Sequence, residues 1–207
     1  MKKNIKIYDK KSVSIDEQVV LGDNVVIHEN VVIRGKSEIG DNVEVMGCTY
    51  IIDSKIGSGS KVVASFIEQS EVGEDNNVGP FARLRPGSKT GKNVRIGNFV
   101  EIKNSVLGDG CKVAHLAYVG DADVGKNVNI GCGVIFVNYD GKQKHRIRVC
   151  DGAFIGSNCN LIAPLTIAEK SYICAGTTVT QSTEKEDFVI GRVRPVVKPG
   201  RGGKYLK

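Results

Sequence analysis

Branched apolar residues recur every six positions along most of this chain, and no other feature of the sequence limits the fold as tightly. Ile15, Leu21, Ile27, Ile33, Ile39, Val45 and Ile51 stand six apart. So do Val72, Val78, Leu84, Thr90, Ile96 and Ile102, and again Val149, Ile155, Leu161, Ile167, Ile173 and Val179. Such a period matches neither an unbroken strand nor a helix, whose repeats are about 2 and 3.6 residues. It describes one short buried strand and a corner. Gly with Asn or Asp follows many of the markers, as in "LGDN", "IGDN", "VGKN" and "IGSN", and these residues tolerate the backbone of a sharp turn. Three units close a triangular coil of 18 residues, and stacked coils make a parallel β-helix. About nine coils at ~4.8 Å each give a prism on the order of 45 Å long. Spacing carries no handedness, and left-handed coils would break the usual crossover rule.

Composition agrees. Apolar residues make up 41% of the 207, yet there is no Trp and aromatics are only 6%, so the core rests on Val and Ile, which favour strands. No apolar run approaches the ~18 residues of a membrane span, and "MKKNIKIYDKK" lacks the apolar stretch of a signal peptide. A soluble cytoplasmic protein without a membrane partner is expected. Cys48, Cys111, Cys132, Cys150, Cys159 and Cys174 form no CxxC pair and have no histidine at ligand spacing. They read as small residues in a reducing compartment, with no metal site.

Charge is uneven. Residues 1–82 carry 9 Lys/Arg against 13 Asp/Glu, and residues 83–207 carry 20 against 10. An anionic partner should meet the second part. With only Tyr118 and Tyr139 placed to contact a ligand and no stacking platform, a small phosphorylated molecule is expected rather than nucleic acid.

The beat skips to five at 51→56, 62→67→72, 102→107 and 119→124, each step trimming a corner. It breaks once, after Phe136, where "VNYDGKQKHRIR" (137–148) reads as a polar loop thrown out of the stack, the kind of segment that carries function. The coils are expected over 13–181, with a basic tail over 182–207, all in one domain. The end of that tail, "RVRPVVKPGRGGKYLK", has six basic residues and no acid. It reads either as disordered or as docking on a neighbouring subunit and a cofactor.

Two positions past the marker, successive coils hold Asn98, His115, Cys132, Ser157 and Ala175. With the loop outside the count these stack on one edge, and His115 to Ala175 spans about 14 Å. Arg85 and Lys103, 18 apart, stack on a different edge as adjacent cations, an arrangement suited to a phosphate.

The segments "GPFARLRPG", "GNFVEIK", "AHLAYVGDADVGKNVNIGCG", "NYDG", "FIGSN", "LIAPLTI" and "AGTTVT" closely resemble one family: the C-terminal acetyltransferase domain of the bifunctional N-acetylglucosamine-1-phosphate uridyltransferase/glucosamine-1-phosphate acetyltransferase. The likeness is dense over 79–194 and looser over 1–78. It implies a left-handed β-helix and a homotrimer with active sites between subunits. It also implies acetyl-CoA as cosubstrate and glucosamine-1-phosphate as acceptor, on the way to UDP-N-acetylglucosamine for cell-wall precursors. His115 is implied as the base. Arg85, Lys103, Tyr118 and Asn129 are implied at the sugar phosphate, and Cys132, Asn138, Tyr139, Lys144, Ser157, Ala175 and Arg192 at acetyl-CoA. Cys132 stands where the family usually has Ala. The family's nucleotidyltransferase domain has no counterpart in the 207 residues, so this chain alone is not expected to make the nucleotide sugar.

The chemistry fits the residues. Histidine titrates near neutrality and can take the proton of an attacking amine, while orientation and preformed N–H donors supply most of the remaining acceleration. No acyl-enzyme nucleophile is needed. Glu101 is expected to orient His115, and His28 and His145 are expected to be solvated. The cation edge and the histidine edge are separated by a strand of about five residues, roughly 15 Å, so a site shared between subunits is expected. Competing readings are another hexapeptide acyltransferase acting on a different amine or hydroxyl, and a non-catalytic trimeric scaffold. A zinc hydrolyase of the same architecture fails because histidines at 28, 115 and 145 do not fall on adjacent coils.

Overall fold

A computed structural model of the chain describes residues 4–204. The chain winds into a three-sided, left-handed parallel β-helix. Face 1 has 11 strands, from Ile5–Ile7 to Phe188–Val189; face 2 has 10, from Ser14–Ile15 to Thr178–Val179; face 3 has 9, from Val20–Leu21 to Leu165–Ile167. Every neighbour on a face is one coil away in sequence, as in Ile5↔Val25 and Leu84↔Ile102. There are thus about ten coils rather than nine. The helix also starts and ends further out than the six-residue beat does. Ile5–Ile7 pairs with Val25–Ile27, and Phe188–Val189 pairs with Tyr172–Ile173, so strands run from 5 to 189 rather than only over 13–181. The first part of the expected tail is therefore a strand. Among the described residues the only helical turn is the 3-10 segment Gly202–Lys204, and no helix is long and apolar enough to cross a membrane.

The marker residues form the core. Ile27, Ile33, Ile51, Ile67, Leu84, Ile96, Ile102, Ile155 and Leu161 are fully buried, each contributing on the order of 1.5–3 kcal/mol. Two positions before each marker a small inward residue fills the angle of the triangle. Val94, Val100, Ala117 and Ala153 do this, and so do Cys111 and Cys159, whose thiols burial pushes up. All six cysteines are free. At four of the five five-residue steps a serine, Ser54, Ser65, Ser70 or Ser105, turns inward at the trimmed corner, and Ala122 takes that place at the fifth. Each hydroxyl donates to the carbonyl two residues back, at 2.7–2.8 Å. Entering face 1, Asn24, Asn42, Asn93 and Asn127 adopt φ of 53–57°, a left-handed conformation Asn tolerates.

The loop leaves the stack after Ile135–Val137 and returns at Ile147–Val149. It therefore spans 138–146, tighter than 137–148, because Val137 and Ile147 keep their ladder partners Ile162 and Ala122. Its base is clamped by Arg146, which donates to the carbonyls of Asn104 and Ala122 and to Asp123.

Candidate functional site

The expected small-residue column exists. Asn98 pairs with His115 across faces-1 strands Arg95–Asn98 and Lys112–His115. Gly133 donates to Leu116, Asn158 to Cys132, and Gly176 to Ser157, each at 2.8 Å. These bonds bring His115, Cys132, Ser157 and Ala175 into one line at the corner between faces 1 and 2. Arg192 extends the line, its Nη1 donating to the Ala175 carbonyl at 3.0 Å.

Asn98, not Glu101, orients the histidine. Asn98 Oδ1 lies 2.9 Å from His115 Nδ1. With the amide oxygen facing the ring, Nδ1 carries the hydrogen and Nε2 is left as the acceptor. Glu101 is committed elsewhere: its Oε1 lies 2.8 Å from Arg85 Nη1 and raises the guanidinium pKa.

Arg85 and Lys103 follow paired markers Leu84 and Ile102 at the corner between faces 2 and 3, as expected. Lys144 joins them. The loop folds back through an antiparallel bridge between Tyr139 and Lys144, which carries Lys144 beside Lys103. That proximity raises the Lys103 pKa and lowers that of Lys144. The resemblance places Lys144 at the cofactor; within one chain it lies with Arg85 and Lys103.

Tyr118 begins the face-2 strand Tyr118–Gly120 and its ring lies along the face over Gly120. The phenol accepts from Asn138 Nδ2 at 3.4 Å and lies towards Arg85 and Lys103. It thus covers part of the distance between the two corners. Tyr139, 54% exposed, donates to the Gly141 carbonyl at 2.7 Å. Asn129 is apart from both clusters: it points out from face 1, between Lys112 and Phe154. Above it Phe154, Tyr172 and Phe188 stack with ring centroids 4.7 and 5.2 Å apart, an aromatic ladder that the 18-residue spacing of Phe154 and Tyr172 could have disclosed. The other histidines are bonded rather than merely solvated. His28 stacks on Tyr8 and meets Glu44 at 2.9 Å; His145 meets Asp140 at 2.8 Å.

Beside His115 runs an exposed apolar column of Phe81, Phe99 and Leu116, each 55–59% exposed. All three hold left-handed φ of 43–59°, which is costly for bulky residues. Phe81 and Phe99 stack at 5.6 Å.

The bacterial transferase hexapeptide (six repeats) profile matches residues 18–53. The chain is 48% identical over 200 residues to "Bifunctional protein GlmU" of Clostridioides difficile (strain 630), covering 97% of this chain and 44% of that protein. It is 47% identical to the protein of the same name from Enterococcus faecalis (strain ATCC 700802 / V583), covering 100% of this chain and 46% of that one. The chain thus spans less than half the length of these relatives. Among solved structures, Arabidopsis UDP-N-acetylglucosamine acyltransferase superimposes with a TM-score of 0.56 at 16% identity, over 85% of this chain and 68% of that one; it shares the fold.

Proposed function

The chain belongs to the hexapeptide-repeat transferases and matches the C-terminal part of bifunctional GlmU proteins, and from that premise we propose that it transfers the acetyl group of acetyl-CoA to the amine of glucosamine-1-phosphate. The product, N-acetylglucosamine-1-phosphate, is a precursor of UDP-N-acetylglucosamine, and the reaction belongs in the cytoplasm. The observation that carries the reading is the pair of columns: a histidine at the foot of a small-residue track on one corner, and three cations on the next.

In this reading His115 Nε2 takes the proton of the substrate amine as its nitrogen closes on the acetyl carbonyl. Asn98 fixes the ring so that Nε2 faces the reaction. Arg85, Lys103 and Lys144 hold the phosphate, with Tyr118 between the clusters. Acetyl-CoA supplies an activated thioester whose carbon–sulfur bond breaks as the amide forms; the departing thiolate takes up the proton held at His115 and leaves as the thiol. The track of Cys132, Ser157 and Ala175, without a bulky side chain over ~10 Å, fits an extended acyl-carrier arm. Arg192 stands at its far end for a phosphate, and Asn138 and Tyr139 are assigned to the same cosubstrate. Asn129, isolated on face 1, is best explained if a neighbouring copy presents it, and the exposed Phe81, Phe99 and Leu116 column supports such packing. A homotrimer with shared sites is therefore part of the proposal.

The test is steady-state acetyl transfer with glucosamine-1-phosphate, glucosamine and a panel of other amines. Preference for the sugar phosphate should collapse in Arg85→Ala and Lys103→Ala. If glucosamine suffers as much as its phosphate, the cations do not read the phosphate. If another amine is preferred in the wild type, the acceptor assignment is wrong.

A further inference from the structure

One buried carboxylate that has no role in the reading above touches both the cation cluster and the extruded loop. Asp121 is 5% exposed. Its Oδ1 accepts from Asn104 Nδ2 at 2.6 Å; its Oδ2 accepts from the Asn138 amide and lies 3.5 Å from Lys103 Nζ. Its backbone N–H donates to the Lys103 carbonyl at 2.9 Å, and its carbonyl accepts from Ile147 N–H at 3.1 Å. Asn138 and Ile147 are the two ends of the extruded loop. A single residue therefore holds both ends of that loop and the middle cation of the phosphate cluster.

The group is charged for a reason. Burial pushes a carboxyl up, but the amides of Asn104 and Asn138 and the Lys103 ammonium outweigh it and hold Asp121 below the usual carboxylate range. Lys144 lies beside Lys103 and near Arg85, and both cations hold its pKa down. Glu101 balances Arg85, which leaves Asp121 as the counter-charge of the two lysines. An amide at this place would keep the volume but leave two ammonium groups facing one another.

We infer that Asp121 is a positioning residue that couples the sugar-phosphate cations to the loop bearing Asn138 and Tyr139, so that filling one subsite orders the other. The inference rests on the functional reading above. A phosphate at Lys103 and Lys144 relieves their repulsion and draws Lys103 off Asp121, whose oxygens are then left to Asn138 and Asn104. The loop tightens, and by reciprocity a cosubstrate held by the loop strengthens sugar-phosphate binding.

The test is Asp121→Asn, read by amide hydrogen exchange over 138–146 and by the acetyl-CoA KM at low and saturating glucosamine-1-phosphate. In the wild type the sugar phosphate should slow loop exchange. In the variant, loop exchange should be about tenfold faster and the acetyl-CoA KM about fivefold higher, with kcat within about threefold, a coupling of ordinary size. Adding Lys144→Met to Asp121→Asn removes the facing ammonium and should return loop protection, which a merely structural role for Asp121 would not do. Wild-type exchange and KM in Asp121→Asn overturn the inference, as does absence of recovery in the double variant. Should Asp121→Asn not fold, Asn138→Leu removes the same bond from the loop side; unchanged protection there also overturns it. A wild-type protein that transfers no acetyl group removes the functional reading instead, while the exchange experiment, with inorganic phosphate as the probe, still decides on Asp121.

Discussion

Adding one methyl group at Gly120 should disable the proposed sugar-phosphate site while sparing the fold. A Cβ built there falls 2.6 Å from Tyr118 Cζ and 2.8 Å from Cε1, with Oη also in conflict. Carbon atoms rest about 3.5–4 Å apart, so the ring must move by about 1 Å. The three nearest atoms the Cβ meets are all the far end of one flexible side chain, so the ring rather than the backbone should give way. Gly120 also lies outside the left-handed region, so alanine is unstrained and gains the ~0.4–1 kcal/mol of a stiffer unfolded chain. The displaced phenol loses Asn138, already at 3.4 Å, and leaves its place between the two corners. Misplacement by about 1 Å in a preorganised site costs on the order of 100-fold, or ~2.7 kcal/mol. The assay is kcat/KM for glucosamine-1-phosphate in Gly120→Ala, beside Tyr118→Phe and a thermal melt. A drop of about 100-fold with an unchanged Tm is expected, larger than for Tyr118→Phe, which keeps the ring in place. Gly120→Ala with kcat/KM within about threefold of wild type would refute the claim that the pose of Tyr118 matters.

Other outcomes follow from the same geometry. His115→Ala should lower kcat by more than about 100-fold with acetyl-CoA affinity within a few-fold, because a general base acts only in the transition state; a loss below tenfold removes the assignment. Asn98→Ala, which frees the ring but leaves Nε2, should cost about tenfold in kcat, one hydrogen bond's worth, and Glu101→Gln should leave the orientation of His115 intact. The loop should resist acid. N–H donors of Gln143 and Lys142 with the His145 side chain hold Asp140 at about 2, below its ordinary 3.8, so its contribution is whole above the ordinary value and is lost as pH falls through about 2. Exchange at 138–146 that accelerates near pH 5 would contradict this. Finally, mixing inactive His115→Ala with inactive Arg85→Ala and allowing exchange should recover activity if each site draws His115 and Arg85 from different copies; proven mixed trimers without recovery would put both in one subunit.

Most of the fold was legible because a β-helix is built from sequence-local rules. Each coil repeats the same demand for a branched inward residue, a small one two places earlier and a corner that tolerates left-handed backbone, so Ile96, Val94 and Asn93 announce their places by spacing alone. The ends were less legible because the beat falters there. Ile5–Ile7 and Phe188–Val189 are half-exposed caps whose pairing is imposed by the coil they cover. The loop boundary moved inward for the same reason: Ile147 belongs to a ladder, and ladder bonds to Ala122 outweigh the polar residues around it.

The site divides along the same line. Residues in one column share a sequence offset, so Asn98 above His115, and Lys103 beside Arg85, could be read from steps of 17 and 18. Contacts between columns have no fixed offset. Asp121 reaches Asn138 across 17 residues but does so sideways, from one corner into the root of a loop, and Lys144 meets Lys103 from 41 residues away only because Tyr139 and Lys144 pair and fold the loop back. Glu101 shows how column logic misleads when reach is ignored. It stands three residues past Asn98 and looks available to the histidine, but it points out of face 2, where Arg85 on the adjoining coil captures it at 2.8 Å. Periodicity therefore assigns residues to edges, while side-chain length and the one aperiodic segment decide which edges interact. In this protein those lateral contacts converge on Asp121, a residue that the repeat offers as an ordinary corner and that only its four partners distinguish.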